Sequence, residues 1–111
     1  MKEIKAYVRS SRIADVIVAL KESPSWGGIG ARGHHLAVSV VRGDLLPFDN
    51  AEKHYAMDLS DEIINEYKVE ILCEDSDVDA LSAALITAAR TGQDVAGWLV
   101  VIDVVNATPF N

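Results

Sequence analysis

The sequence is poor in cysteine, because Cys73 is the single example among 111 residues. One cysteine excludes an intrachain disulfide, and it also excludes a metal cluster held by several thiolates of one chain. A free cysteine usually behaves as a small apolar residue and is often buried. We therefore expect Cys73 to pack in a core and not to act as a nucleophile.

Positive charge is also scarce. The chain has 10 Lys and Arg against 17 Asp and Glu, which gives a formal net charge of −7. Proteins that bind the phosphate backbone of nucleic acids use clustered Lys and Arg to displace counterions. The composition therefore argues against nucleic acid as a partner.

Long apolar runs are lacking as well. No stretch approaches the roughly 20 apolar residues that cross a bilayer, and residues 1–5 lack the apolar centre of a signal peptide. Half of the 111 residues are apolar, which suffices for one core but not for two. We expect a single domain over residues 1–111, located in the cytoplasm and without membrane insertion.

The first part of the chain predicts a strand and a helix. Apolar residues alternate with polar ones over residues 4–9, which is the period of a strand with one buried face. Apolar residues recur at helical spacing over 13–20 and predict a helix, which Ser10 or Ser11 caps. Pro24 prevents this helix from continuing.

The middle of the chain predicts a loop, a strand and an acidic segment. Residues 23–34 are rich in glycine and have no periodicity, which indicates a loop. The Val-rich residues 36–41 predict a second strand. The acidic residues 44–66 form a long loop-like segment, in which Ser60 followed by two acids predicts a short helix that reaches Glu66. The acids are typical of a solvated face or of a docking loop for a basic partner surface.

The last part of the chain predicts a strand, a helix and a strand. Residues 69–73 alternate, and Ser76 caps a helix with an apolar stripe over 78–88. Residues 99–105 are apolar on both faces except at Asp103, which predicts a central strand or a strand covered by another subunit. The order βαββαβ predicts a ferredoxin-like α+β fold, an antiparallel four-stranded sheet with two helices on one face.

The sheet face without helices is predicted to carry apolar side chains, among them Tyr7, Val41, Leu72 and Trp98. Such a surface is unusual on a soluble monomer. We expect oligomerisation to cover it, with coverage by a tail or a loop as the alternative. Trp26 and Trp98 are suited either to stacking on a ligand ring or to packing at a subunit contact.

A short motif, Ala89-Arg90-Thr91-Gly92, ends the predicted second helix before a loop and an apolar strand. Further motifs lie in the predicted strands and the first helix: Met1 to Ala6, Asp15-Val16, Ala19-Leu20, Val41-Arg42-Gly43 and Lys68 to Ile71. Together they resemble the PII family of trimeric signalling proteins, and the likeness covers most of the chain.

The resemblance implies a homotrimer with three clefts between subunits, and a long loop over residues 44–66 that docks on a target. It implies binding of ATP or ADP with 2-oxoglutarate, and regulation of a transporter or an enzyme without catalysis. Nitrogen regulation is the setting in which the family acts. The residues that it places near the nucleotide are Gly43, Arg90, Thr91, Gly92 and Gly97.

The chain departs from the family pattern at the phosphate contacts. The Gly-Asp-Gly-Lys sequence of the family corresponds to residues 95–98, Val-Ala-Gly-Trp, so the lysine charge is missing. Residues 44–47 replace the Gly-Arg-Gln pattern of the family, and the tail up to Asn111 lacks its Arg-x-Arg pair. Residues 23–34 also contain an insertion. We therefore expect weakened contacts to nucleotide phosphates.

The insertion contains a G-x-G-x-x-G match at residues 28–33. The dinucleotide-binding fingerprint needs a strand before it and a helix after it. Here a predicted helix precedes the match and a predicted strand follows it, which excludes that fold. A backbone nest that holds an anion with Arg32, or a plain surface loop, stays open.

Three histidines support two alternative functions. His34 and His35 point to opposite faces of an extended strand, so they do not both bind one metal ion within one chain. In a trimer, His54, Glu52 and Asp58 are predicted to meet a histidine of a neighbouring subunit in a mixed N/O metal site. The first alternative is a metal-responsive trimer similar to the CutA cation-tolerance family. The second is a small isomerase or monooxygenase with the ferredoxin-like fold, in which a histidine works with Asp44 or Asp49. Solvated polar residues explain the same pattern without a site.

Overall fold

The computed structural model describes residues 1–26, 35–43, 53–56 and 61–111, with the backbone alone described for His35, Gly43, 53–56 and 61–64. The predicted insertion from residue 27 onward, His34, most of the predicted docking loop, Asp44, Asp49, Glu52 and Asp58 lie outside the described residues. In chain order the elements are β1 (Lys2–Arg9), α1 (Ile13–Glu22), β2 (His35–Gly43), β3 (Lys53–Ala56), β4 (Asp61–Cys73), α2 (Val78–Ala89) and β5 (Trp98–Asp103).

The strands form one antiparallel sheet. The main path runs β2-β4-β1-β5, and the short β3 pairs with β4. Strand β1 is central, because its residues pair with β4 on one side and with β5 on the other. The four predicted strands and the two helices are therefore confirmed, and the fold is ferredoxin-like α+β. Within the described parts of the chain, neither helix is long and apolar enough to span a membrane.

The core lies between the two helices and one sheet face, which we call the inner face. Strand alternation directs every second side chain of β1 and β4 to this face. Cys73 is among the fully buried residues, and burial raises the pKa of its thiol. This confirms that it is a core residue. The buried cluster consists of Ile4, Ala6, Val8, Val16, Leu20, Val69, Ile71, Cys73, Leu81 and Leu85.

The opposite sheet face, which we call the outer face, has a charged centre and an apolar edge. In its centre Lys5 Nζ lies 3.7 Å from Glu3 Oε1, and Lys68 Nζ lies 3.2 Å from Glu70 Oε1. The apolar edge is β5, whose outer-face residues pair in register with β1. These edge residues are Trp98, Val100 and Ile102, and all three are exposed in a single chain.

The short helix predicted to start at Ser60 is wrong. Residues 61–66 belong to β4, which runs without interruption from Asp61 to Cys73. The acids after Ser60 suit a helix start locally. Pairing of this stretch with β2 and β3, and of Glu66 with Arg9 of β1, gives its backbone hydrogen bonds to neighbouring strands instead.

The predicted serine caps are also wrong. Helix α1 begins after Arg12 and α2 begins after Asp77, and neither residue makes a side-chain capping bond. Backbone turns occupy both helix starts: Arg12 N donates to Arg9 O at 2.9 Å and Asp77 N donates to Glu74 O at 3.0 Å. These turns place the first helical residue later than the serine pattern predicts.

Strand β5 differs from its prediction in position and length. It ends at Asp103 and, among the strands that the structure describes, pairs only with β1, so it lies at the edge of the described sheet and not at its centre. On its inner side Leu99 contacts the core cluster and Val101 stays exposed, while the apolar residues on its outer side are all exposed. Coverage of β5 by another subunit stays a prediction.

Candidate functional site

A cavity of about 500 Å³ lies where α2 ends and β5 begins. Its walls come from the last turn of α2, the loop over residues 90–97, and the adjoining ends of β1 and β5. Its lining residues are Tyr7, Val8, Leu85, Ile86, Ala89, Arg90, Thr91, Gly92, Gln93, Asp94, Val95, Ala96, Gly97, Trp98 and Leu99. The volume lies within the range of small-molecule sites, about 300 to 1,000 Å³.

The structure brings four of the five predicted nucleotide residues together here. Arg90, Thr91, Gly92 and Gly97 all line the cavity. Gly43 lies at the end of β2, which occupies the opposite edge of the sheet from β5. It is therefore not part of this cavity within one chain. The roles of all five in nucleotide binding stay predictions.

The loop that forms the cavity has a locally determined shape. Helix α2 ends at Ala89 because Arg90 adopts an extended backbone conformation. Thr91 Oγ1 donates to Gln93 Oε1 at 3.0 Å and accepts from Gln93 N at 3.4 Å, a side-chain turn that closes the loop. Gly92 follows with a φ of 87°, which is unfavourable for residues with a side chain. The Thr-Gly pair therefore has a conformational reason that is independent of any ligand.

Gly97 has a packing reason as well. A Cβ built on this residue would overlap the carbonyl oxygen of Tyr7 in β1. Only glycine allows the loop to approach β1 this closely without displacement. Its presence alone is therefore not a sign of a phosphate contact, although its backbone lines the cavity.

Two arginines fix the loop and the helix ends around the cavity. Arg9 Nε donates to the carbonyl oxygen of Ala96 at 3.1 Å, and Arg12 Nε donates to the carbonyl oxygen of Ala88 at 2.9 Å. The second bond satisfies a carbonyl in the last turn of α2, which has no partner within the helix. Arg9 and Arg12 thus connect the segment before α1 to both sides of the cavity.

Arg9 also lies opposite Glu66 in the β1–β4 register, and both side chains are buried. Burial raises the pKa of Glu66, and the positive charge of Arg9 acts in the opposite direction. Glu66 Oε2 accepts no hydrogen bond from the described part of the chain. Sequence reasoning missed this pair. The available signal was Arg9 itself, a charged residue at the end of a strand with alternating apolar residues. Its partner Glu66 is distant in sequence, so the sequence alone did not identify the pair.

The two histidines whose backbone the structure describes, His35 and His54, lie far apart within one chain. His35 pairs with Leu72 of β4 and His54 pairs with Ile63 of the same strand. These positions are separated by about 30 Å along β4, at roughly 3.3 Å for each residue. Among the described residues no cluster of three or more His, Cys, Asp or Glu suits a metal ion. The metal site therefore stays a prediction that requires a second subunit.

Three of the curated proteins similar to this chain are nitrogen regulatory proteins by name. A nitrogen regulatory protein P-II of Microchaete diplosiphon is 32% identical over 93 residues, 84% of this chain and 76% of the relative. A protein of the same name from Porphyra purpurea is 30% identical over 94% of this chain and 86% of its own length. Nitrogen regulatory protein P-II 2 of Methanothermobacter thermautotrophicus is 29% identical over 83% and 73%, respectively. No protein-family model matches the chain.

Proposed function

We propose that this chain, which belongs to the P-II family of nitrogen regulatory proteins, is a non-catalytic regulator that binds an adenine nucleotide in the cavity between α2 and β5. One observation carries the proposal. Four residues that the family pattern assigns to nucleotide binding line a single cavity of about 500 Å³. The conformation of Gly92 and the close packing of Gly97 do not require a ligand, but the whole loop from Gly92 to Gly97 lines this space.

The regulatory output is a change in the segment over residues 44–66. Arg9 supports this step, because it donates to Ala96 in the cavity loop and lies opposite Glu66 in β4. A ligand that moves the loop therefore changes the surroundings of the strand in which the segment ends. The two states of the segment differ in affinity for a target transporter or enzyme.

The assembly is a homotrimer in this proposal. Its support is the part of the apolar edge beyond the cavity, where Val100 is 41% and Ile102 is 39% exposed, whereas Trp98 at the start of the same strand lines the cavity. An unpaired edge strand with apolar side chains is prone to pair with another chain. Three copies that bury this edge remove the exposed surface.

The nucleotide part is tested by calorimetry on the purified protein. AMP, ADP and ATP are each titrated to about millimolar concentration, with and without magnesium. A Kd above about 1 mM corresponds to a binding free energy weaker than about −4 kcal/mol, so this range covers specific binding. We expect saturable heat at about one nucleotide per chain for at least one of them. Absence of heat for all three would remove the cavity as a nucleotide site.

The assembly is tested by light scattering coupled to size exclusion. We expect three chain masses for the natural protein and a smaller mass for Val100→Lys, because a charge in the apolar edge opposes its burial. Val105→Lys is the matched control, since Val105 is fully exposed beyond the end of β5. A monomeric natural protein would contradict the trimer without affecting the nucleotide test.

A further inference from the structure

The cavity between α2 and β5 carries little net charge. Among its described lining residues, Arg90 and Asp94 are the charged ones, so their formal charges cancel. The last turn of α2 also lies in the wall, and carbonyl groups at a helix C-terminus carry a partial negative charge. A ligand with several negative charges therefore finds one cation and an opposing field in this cavity.

Two further arginines lie beside the cavity, and each has an acidic neighbour of its own. Arg9 lies opposite Glu66 in the strand register, and Arg12 Nη1 lies 3.0 Å from Asp15 Oδ2. Trp98 occupies the first position of β5 beside the cavity, and residues 104–111 contain no Lys or Arg. A polyphosphate is stabilised in proteins by lysine, arginine or a bound divalent cation. The described residues of this cavity therefore do not fit the triphosphate that the family resemblance implies.

The same cavity is well suited to a flat apolar group. Trp98, Val95 and Ile86 are exposed large hydrophobic residues, and all three line it together with Tyr7 and Leu85. Trp98 and Tyr7 are directly opposed in the β1–β5 register. Aromatic side chains stack on any nucleobase, because each base has a π face. An aromatic ring that enters here covers apolar surface otherwise left in water.

Arg90 provides a contact for one phosphate. Its side chain is exposed at the cavity, and it forms no ion pair with the part of the chain that the structure describes. A guanidinium group matches a phosphate with two parallel hydrogen bonds. Thr91, by contrast, uses its hydroxyl within the loop.

We infer that the cavity prefers a planar aromatic ligand with no more than one phosphate group, of the nucleoside monophosphate type, over a di- or triphosphate. This inference rests on the proposed function, since it names the ligand class of the same cavity. Trp98 holds the ring, and Arg90 holds the single phosphate.

The first test is an affinity series in the natural full-length protein, with adenosine, AMP, ADP and ATP titrated by calorimetry without magnesium and again with it. We expect the Kd of AMP to be at least about tenfold lower than that of ATP. Arg90 pairs with the single phosphate of AMP, whereas the two additional phosphates of ATP have no cation to pair with in the described cavity wall. If ATP binds most tightly, the inference is wrong and the nucleotide function stands. If none of the four binds, both are wrong.

The second test changes the phosphate contact. Arg90→Gln is expected to raise the Kd of AMP about tenfold and that of adenosine less than about twofold, since adenosine has no phosphate. An equal loss for both ligands would show that Arg90 shapes the cavity and does not hold the phosphate. We expect this variant to fold normally, because Arg90 is exposed and lies just after the last residue of α2.

The third test introduces the missing cation. Trp98→Lys is expected to weaken adenosine binding and to lower the Kd of ATP about tenfold, which narrows or reverses the preference for AMP. Val105→Lys adds the same charge at the opposite end of β5 and is expected to leave the series unchanged. An equal gain for ATP in both variants would mean that net charge, and not the cavity wall, sets the preference, and would overturn the inference.

Discussion

The two faces of the sheet are built from the same strands but hold the molecule together in different ways. On the inner face, Ile4, Val69 and Ile71 are fully buried beneath the helices. On the outer face, ion pairs occupy the centre and exposed apolar residues occupy the β5 edge. Alternation of side chains along each strand produces this difference. The centre of the inner face is covered within one chain, although Val38, Val40 and Val101 towards its two edges stay exposed, whereas the apolar residues of the outer face lie at the β5 edge.

The outer face contributes little to the stability of a single chain. The side chains of its two described ion pairs are about 30% exposed, and such pairs typically contribute less than about 1 kcal/mol. Its apolar edge remains in water until a partner covers it. Because folding does not depend strongly on this face, its residues are free to determine assembly.

The same substitution on the two faces tests this comparison most directly. Ile71→Ala leaves a cavity in the inner core, where Ile71 is 0% exposed, and we expect it to lower the free energy of unfolding by about 2 to 5 kcal/mol. Ile102→Ala removes the same atoms from the outer face, where Ile102 is 39% exposed. Here we expect a loss of about 1 kcal/mol or less for a single chain. Urea denaturation measures both values.

Protein concentration sharpens this test. If the outer face is a subunit contact, the loss caused by Ile102→Ala depends on concentration, because assembly is linked to folding. The loss caused by Ile71→Ala keeps its core component at every concentration. Equal losses from both substitutions under dissociating conditions would refute the contrast between the faces.

Gly92 and Gly97, in the cavity loop that precedes β5, provide a second test. Gly97→Ala forces a Cβ against the Tyr7 carbonyl, and we expect a loss of stability of about 1 to 3 kcal/mol. Gly92→Ala has open space around its Cβ but a φ of 87°, so we expect a loss of about 1 kcal/mol from strain alone. Thermal unfolding compares them. A larger loss at Gly92 would mean that the loop, and not β1, adapts to the added methyl group.

Much of the inner face could be predicted from the sequence, because its signals are local. Alternation over β1 and helical spacing in α2 identified Ile4, Val8, Leu81 and Leu85, and these residues are in the core. The Thr91-Gly92 motif likewise identified the loop of the cavity. Residues close in sequence determine each of these features, so their pattern can be read without knowledge of the tertiary structure.

The features that could not be predicted depend on which strands are neighbours in the sheet, and the sequence does not reveal this. The acids after Ser60 predicted a helix, but pairing along β4 determines the conformation of residues 61–66. The Arg9–Glu66 pair was missed for the same reason. In each case a contact distant in sequence outweighs the local preference.

Glu66 is an exception to the weak electrostatics of the outer face, and it offers a test by pH. Its side chain is 5% exposed, and burial raises its pKa above the ordinary value of 4.5, while Arg9 partly opposes this shift. The folded chain therefore binds a proton at Glu66 more readily than the unfolded chain does. Stability from this group is fully present below the unfolded pKa and is lost as the pH rises through the folded pKa.

We expect Glu66→Gln to remove this part of the pH dependence, because glutamine keeps the shape of the side chain without its charge. Urea denaturation from about pH 4 to about pH 7 measures the slope in the natural protein and in the variant. Glu70→Gln is the matched control, since Glu70 lies on the same face and strand but is partly exposed and pairs with Lys68. If Glu66→Gln lowers stability more as the pH rises, attraction to Arg9 outweighs burial, and Glu66 stabilises the fold in its charged form. The outer face would then contain one strong ion pair, Arg9–Glu66, where the pairing of β1 with β4 ends. The weak electrostatics of the outer face would in that case be limited to the part of β1 from Glu3 to Tyr7.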